Sequence, residues 1–329
     1  MLFGLDLGYG NTKLYGRAGG IVLPSHVAAA QTRAVAAVLG TEHQARPLHI
    51  TVSSQNYYVG DNAHSWGEAL ETLDYDRFAG SAEAYALLYG AFARYLAVDP
   101  IPETEPIILY VGLPLEPLSG TETAVQETLA AVRKWLTGVH VWHADGQMHR
   151  VHVARVEITS QPNAIFFDFV LGEDGRANPQ HAHLVSQETG LVSIGYNTIE
   201  RQVIARGVVT QKYTAGTQYG VHWFLERINN ALGGHYTLGE LDTLLRANAL
   251  DEAATRAALA DWSRKVIEQI EKQWHGEWPR FGRILITGGG AALLNGRLLP
   301  RFQGKAIVPD DPILCIARGL YKLALKREM

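Results

Sequence analysis

The chain is 329 residues long, 47% hydrophobic and 19% charged, with a formal net charge of -4; that length predicts two domains, and the apolar content is enough to offset the entropy of ordering a folded chain. The charge lacks the basic excess of a direct nucleic-acid binder and no Lys/Arg block occurs, so nucleic acid is expected to be met only through a partner. Cys315 is the only cysteine, which excludes intrachain disulfides and points to the cytoplasm, while no basic-then-apolar leader and no run of ~18 apolar residues is present to suggest export or a membrane span.

In chain order, residues 2–7 and 12–16 read as strands flanking a glycine turn, followed by an extended stretch at Ile21–Leu23. Residues 49–52 and 57–59 read as a further hairpin, and 30–75 as a small inserted subdomain. Tyr85, Leu88, Tyr89, Phe92 and Leu96 recur at three- and four-residue spacings, predicting a helix over 81–97. A buried strand is expected at 107–111, then a helix opened by the capping-box pattern Ser119-x-x-Glu122, then strands at 139–143 and 149–158. Pro162 suits the first turn of the next helix. The second half repeats the plan: strands near 184–194 and 199–206, helices near 221–232, 238–248 and 251–274, and a strand at 283–287. In the long helix Trp262, Val266, Ile270 and Trp274 form a core stripe. A final helix over 313–326 is expected to return to the first domain. Strands alternating with helices imply α/β layers.

The chemistry lies in the turns. Leu5-Asp6-Leu7-Gly8-Tyr9-Gly10-Asn11-Thr12 near the start is echoed by Val192-Ser193-Ile194-Gly195-Tyr196-Asn197-Thr198, which suggests two related halves gripping one ligand. Backbone N–H groups of Gly8, Tyr9, Gly10, Asn11 and Thr12 can converge on a polyphosphate that bare glycine lets approach closely. Lys13 adds a positive charge, and Asp6 can hold a hydrated Mg2+. The bland alternative is an ordinary hairpin whose glycines supply positive φ. Gly288-Gly289-Gly290, between a strand and a helix start, is a place for a phosphate or for a flat nucleotide against bare backbone. Neither a dinucleotide fingerprint nor a P-loop is present. Gln161, at a strand-to-helix junction, either orients a water for attack on a γ-phosphate or caps the helix.

Taken together these motifs resemble, in order, those of the actin/Hsp70/sugar-kinase superfamily, and more closely the bacterial and archaeal actin-like proteins of the plasmid-segregation ParM type. Residues 5–13 resemble the family's first phosphate motif, and 192–198 the second. Tyr57 to Ala63 and Gly112-Leu113-Pro114 are similar to first-domain landmarks, Gln161-Pro162-Asn163-Ala164 to the first connecting segment, Ile286 to Ala291 to the adenosine motif, and Ala317 to Lys322 to the closing helix. The resemblance implies two RNase H-like (actin-fold) domains with a nucleotide cleft between them: domain I over 1–160 with the closing helix, about 313–329, returning to it, and domain II over 161–312.

It also implies ATP or ADP, with GTP left open, bound with Mg2+. Asp6 holds the metal. Gly8, Gly10, Asn11 and Lys13 contact phosphate, as do Gly195, Tyr196, Asn197 and Thr198 in the second motif. Gln161 positions water, and Gly288, Gly289 and Gly290 contact adenosine. Where the family has an aspartate, this chain has Ser193, which cannot bring a charge to the metal and attacking water, so hydrolysis is expected to be slow. The leading expectation is a head-to-tail, filament-forming cytoskeletal or cytomotive protein, engaged in plasmid or DNA segregation through a DNA-bound adaptor. A sugar-kinase-like phosphotransferase and a non-polymerising nucleotide-dependent scaffold are the alternatives.

Overall fold

The computed structural model of the chain describes residues 1–30, 46–70 and 73–329. Strands β1 (Leu2–Leu7), β2 (Asn11–Gly16) and β3 (Gly19–Pro24) form an antiparallel meander. β4 (Val27–Ala29), β5 (Leu48–Val52), β6 (Gln55–Val59) and β7 (Glu68–Leu70) follow, then helix α1 (Ala82–Leu96), β8 (Pro106–Leu113), α2 (Glu122–Leu136), β9 (Gly138–Ala144) and β10 (Gln147–Ser160). Helix α3 (Gln161–Val170) leads to β11 (Glu188–Ile194), β12 (Ile199–Ala205), β13 (Val208–Val209) and β14 (Ala215–Thr217). Helices α4 (Val221–Ala231), α5 (Leu238–Arg246) and α6 (Glu252–Trp274) precede β15 (Arg283–Thr287), α7 (Gly289–Leu298), β16 (Ala306–Ile307) and α8 (Cys315–Glu328).

Two mixed sheets result, and the same plan underlies both. The first runs β3-β2-β1-β8-β10-β9-β5-β6-β4-β7, the second β13-β12-β11-β15-β16 with β14 also on β12. In each, an antiparallel hairpin (β1/β2, β11/β12) is continued by parallel neighbours, β8 then β10 in one and β15 then β16 in the other. The sequence echo is therefore an echo of topology. Of the segment expected as a small insert, residues 31–45, 71 and 72 lie outside the described residues. The described part joins the first sheet directly: Ile50 and Thr51 pair with Ala144 and His143 of β9.

Local chemistry sets the helix starts. Ser81 and Ser160 cap α1 and α3 by accepting from the N–H of Ala84 and Asn163, and Pro162 occupies the first turn of α3. The expected cap at Ser119 is corrected. Thr121 caps α2 through the N–H of Ala124, while the Ser119 hydroxyl turns back to the Leu115 carbonyl. Gly120, at φ 112°, bends the chain between them, which places Ser119 outside the helix. The stripe of Trp262, Val266, Ile270 and Trp274 is fully buried, as its spacing predicts.

Helices α3 and α8 cross between the sheets. Ala164, Ile165, Leu191, Leu285, Cys315 and Leu320 belong to one apolar cluster joining the halves. Asp168 on α3 receives Nε and Nη2 of Arg318, each at 2.7 Å, and Lys322 lies 3.1 Å from it. The crossing is so close that a Cβ added at Gly319 would stand 1.9 Å from the Ala164 carbonyl oxygen. Gly319→Ala is therefore expected to destabilise the chain by about 3 kcal/mol through overpacking. The ~1 kcal/mol that alanine gains over glycine inside a helix does not offset this. Urea denaturation checks it, and an unchanged midpoint would contradict the tight crossing.

Candidate functional site

A cleft runs between the two sheets where the β1/β2 and β11/β12 turns face each other. Its walls include Asp6, Gly8, Tyr9, Gly10, Asn11 and Lys13 from the first turn, and Ser193, Gly195, Tyr196, Asn197 and Thr198 from the second. Gln161, Gly288 and Gly289 also line it. Sequence-distant motifs thus converge because each sits at the end of a strand in one of two similarly wound sheets.

The glycines are needed for proximity. Neither Gly8 nor Gly10 has positive φ, so the ordinary-hairpin reading fails on its own premise. A Cβ at Gly10 would lie 2.8 Å from the Cβ of Tyr196 across the cleft, and one at Gly8 would lie 2.7 Å from the Asn11 carbonyl and 2.9 Å from Lys13 Nζ. Gly288 combines both requirements: φ is 96°, and a Cβ there would meet the Ile194 carbonyl at 2.3 Å. Gly289 faces open space, leaving bare backbone at the start of α7 toward the cleft.

Asp6 sits at the cleft floor, 1% exposed. Its Oδ2 accepts from Lys13 Nζ at 2.9 Å and its Oδ1 from Gln161 Nε2 at 3.0 Å. Gln161 is thus the first residue of α3 but not its cap, a role taken by Ser160; its amide points at the carboxylate. Ser193, 3% exposed, stands on β11 with its face toward the same cleft. Among the described residues no group of three or more metal-ligating side chains occurs. A Mg2+ here would be held by one carboxylate, Asp6, with phosphate oxygens and water completing its shell, which is how this ion prefers to bind.

Two of the expected site residues, Thr12 and Gly290, are not among those lining the cleft. Thr12 is fully buried and its hydroxyl pairs with Ser25 Oγ at 3.1 Å, because its side chain falls on the opposite side of β2 from Asn11 and Lys13. Gly290 packs under Ile194, where a Cβ would stand 2.3 Å from Cγ2, and supports the turn from beneath.

Other cleft residues escape a reading by motif. Val221, Leu245, Ala292, Leu293, Ile313 and Ile316 add apolar lining to the same cleft as Gly288 and Gly289, the kind of surface that small-molecule sites use alongside a few polar groups. From α5, Arg246 reaches across to the first turn: Nη1 donates to Asn11 Oδ1 at 2.8 Å and Nη2 to the Gly10 carbonyl at 3.1 Å. Asp242 Oδ2 receives Arg246 Nε at 2.7 Å and His26 Nε2 at 2.9 Å. Burial works against the Asp242 carboxylate, and the His26 hydrogen bond and the Arg246 guanidinium overcome it, holding the group below the usual carboxylate range. The two halves are thereby strapped across the cleft mouth. Arg246→Ala is expected to lower stability by about 2 kcal/mol, the scale of charge-assisted hydrogen bonds, and to speed amide exchange around Gly10 and Asn11. Exchange unchanged in that segment would contradict the strap.

Residues 4–163 match the family described as actin like proteins N terminal domain. The N-terminal half of the chain is thus similar to the actin-like proteins. Solved actin-like structures share its fold from end to end. A pSK41 ParM protein superposes with a TM-score of 0.73 at 16% identity, over 99% of this chain and 98% of its own. The archaeal actin homologue Ta0583, in complex with ADP, gives 0.73 at 18% identity, covering 98% and 99%. A 15-stranded ParM filament from Clostridium botulinum gives 0.75 at 17% identity, covering 100% and 99%. No curated protein matches the chain. Among the described residues no helix is long and apolar enough to cross a membrane.

Proposed function

We propose that this chain is an actin-like protein that binds ATP or ADP with Mg2+ in the cleft and assembles with copies of itself, head to tail, into filaments. The observation that carries the reading is the meeting of the two glycine turns, one from each half, over the Asp6–Lys13–Gln161 constellation. In it Asp6 holds the metal, Lys13 and the turns hold phosphate, Gln161 orients water, and Gly288 and Gly289 pack against the nucleoside. A ligand that touches both halves favours the closed arrangement, and a surface matched to one arrangement couples nucleotide to assembly. Contacts of that heterologous, non-closing kind generate open filaments.

Slow hydrolysis would weaken those contacts, with Ser193 setting the low rate, and the cargo would be a plasmid or other DNA engaged through a DNA-binding adaptor. The bound ADP of the archaeal relative and the polymer of the clostridial one support the nucleotide and filament parts of the reading. Pelleting and light scattering with ATP, ADP and GTP test it. Nucleotide-dependent sedimentation is expected; its absence across nucleotides, salts and concentrations would remove the filament. A phosphotransferase would need a carboxylate free to take a substrate proton. Among the described residues, the two carboxylates lining the cleft, Asp6 and Asp242, are already engaged by basic side chains.

A further inference from the structure

Glu200 lies directly opposite Ser193 in the β11/β12 pairing, so both side chains leave the sheet on one face, the face toward the first half of the molecule. It is 1% exposed. Its Oε2 receives the backbone N–H of Leu115 at 2.7 Å, a bond between the halves, and the Thr198 side chain beside it lowers its pKa. Leu115 follows Pro114, and both Pro114 and Thr198 line the nucleotide cleft. Oε1 has no hydrogen-bond partner among the described residues and lies toward Gly216, where a Cβ would stand 3.1 Å away. A buried carboxylate is costly unless its charge does something. Here a neutral side chain would fill the same space without that cost.

We propose that Glu200 is a positioning residue for nucleotide turnover: its carboxylate fixes the Pro114–Leu115 wall of the first half and the second phosphate turn at Thr198 against each other. The inference rests on the cleft being the nucleotide site, and it assigns what orients that site's two walls. The charge makes the arrangement proton-sensitive. Burial pushes the carboxyl up to about 7, against the pull of the Leu115 N–H, the Thr198 hydroxyl and Arg201, and Glu116 adds to the rise. These are the groups that face it, together with Tyr75, whose own hydroxyl is raised by burial and then by Glu200 and Glu116. Arg201 points away and donates to the Gln269 carbonyl. The ionised form is the better acceptor, so within the closed arrangement, where the carboxylate stays buried, the bond to the Leu115 N–H is firmest above neutrality.

The sign for stability is opposite. Folding raises this pKa, so the native state holds the proton longer than the unfolded chain does. Stability therefore falls as pH rises from the ordinary glutamate range through about 7.

The full-length chain and its Glu200→Gln and Glu200→Ala variants test this in two arms. In the first, amide exchange at Leu115 is compared as protection factors at pH 6 and pH 8, with no nucleotide added. Wild type is expected to gain protection about tenfold between them, Glu200→Gln to show no pH change, and Glu200→Ala to lose protection at both. A pH-independent wild type, or full protection in Glu200→Ala, would overturn the proposal. In the second, ATP turnover and nucleotide affinity are measured across pH 5.5 to 8.5. Wild type is expected to show a rate inflection near neutrality, which Glu200→Gln abolishes while slowing the rate about tenfold, the scale of a misplaced catalytic geometry, with affinity changed less than threefold. Retention of both rate and inflection in Glu200→Gln would also overturn it. If wild type turns over no nucleotide, the hydrolytic reading fails by itself and the exchange arm still decides the role of Glu200.

Discussion

Asp6→Ala is expected to abolish Mg2+-dependent nucleotide binding, raising Kd at least about 100-fold. Two effects add. The variant removes the Asp6 carboxylate, and among the described residues lining the cleft the other one, Asp242, is held by Arg246 and His26 rather than free to take a hydrated Mg2+ in its place. It also strips Lys13 of its partner at 2.9 Å and Gln161 of its acceptor at 3.0 Å. Lys13 is largely buried, and leaving a partly buried ammonium unpaired costs more than the ion pair contributes. A stability loss of about 2 kcal/mol accompanies the lost binding. Asp6→Asn separates the terms: its amide oxygen still accepts from Lys13, so stability recovers while metal-dependent affinity does not. Titration calorimetry with and without Mg2+, beside urea unfolding of each variant, measures both. Mg2+-dependent affinity retained in Asp6→Asn would move the metal elsewhere.

Ser193→Asp is expected to raise ATP hydrolysis about 100-fold, the lower range of what a positioned charged or basic group contributes. Ser193 is 3% exposed and lines the same cleft as Asp6, so a carboxylate there would share the field of the metal and the attacking water. Without metal the same change is unfavourable, because two buried carboxylates facing one cavity resist joint ionisation. The variant should accordingly be less stable than wild type in EDTA and regain stability with Mg2+ and nucleotide, which stabilise in proportion to binding. Single-turnover hydrolysis at saturating ATP reads the rate. No increase, in a variant that still binds nucleotide, would show that Ser193 does not limit the reaction.

What the sequence displayed was local. The two glycine turns, the Gly288–Gly289 turn and Gln161 were visible because each is a short run whose residue types imply a backbone shape. The structure brings them to one cleft through the repeated winding of two sheets. Asp242 and Arg246 were not visible. On α5 they show only an ordinary i, i+4 pair, and their meaning comes from Gly10, Asn11 and His26, which are distant in sequence and close only after the halves dock. Glu200 fell unremarked within the strand expected at 199–206, and only its pairing with Ser193 and its contact with Leu115 give it a site.

Thr12 and Gly290 carried the right residue types within the right motifs, but strand alternation and helix packing turned them inward. Ser119 failed as a cap because a matching spacing does not fix the backbone, and Gly120 redirects the chain before the helix begins. Of the described strands of the expected insert, β5 and β6 were read from the sequence and β7 was not. Their attachment to β9, which makes them an extension of the first sheet, is a tertiary pairing without a local signature.

The central claim is that both halves grip one metal-bound nucleotide. Titration of the purified full-length chain with a fluorescent ATP analogue, in Mg2+ and then in EDTA, tests it most directly. The account predicts saturable one-to-one binding in Mg2+, competed by unlabelled ATP or ADP and weakened at least about 100-fold in EDTA. Absence of saturable binding in Mg2+, or equal affinity in EDTA, would contradict it.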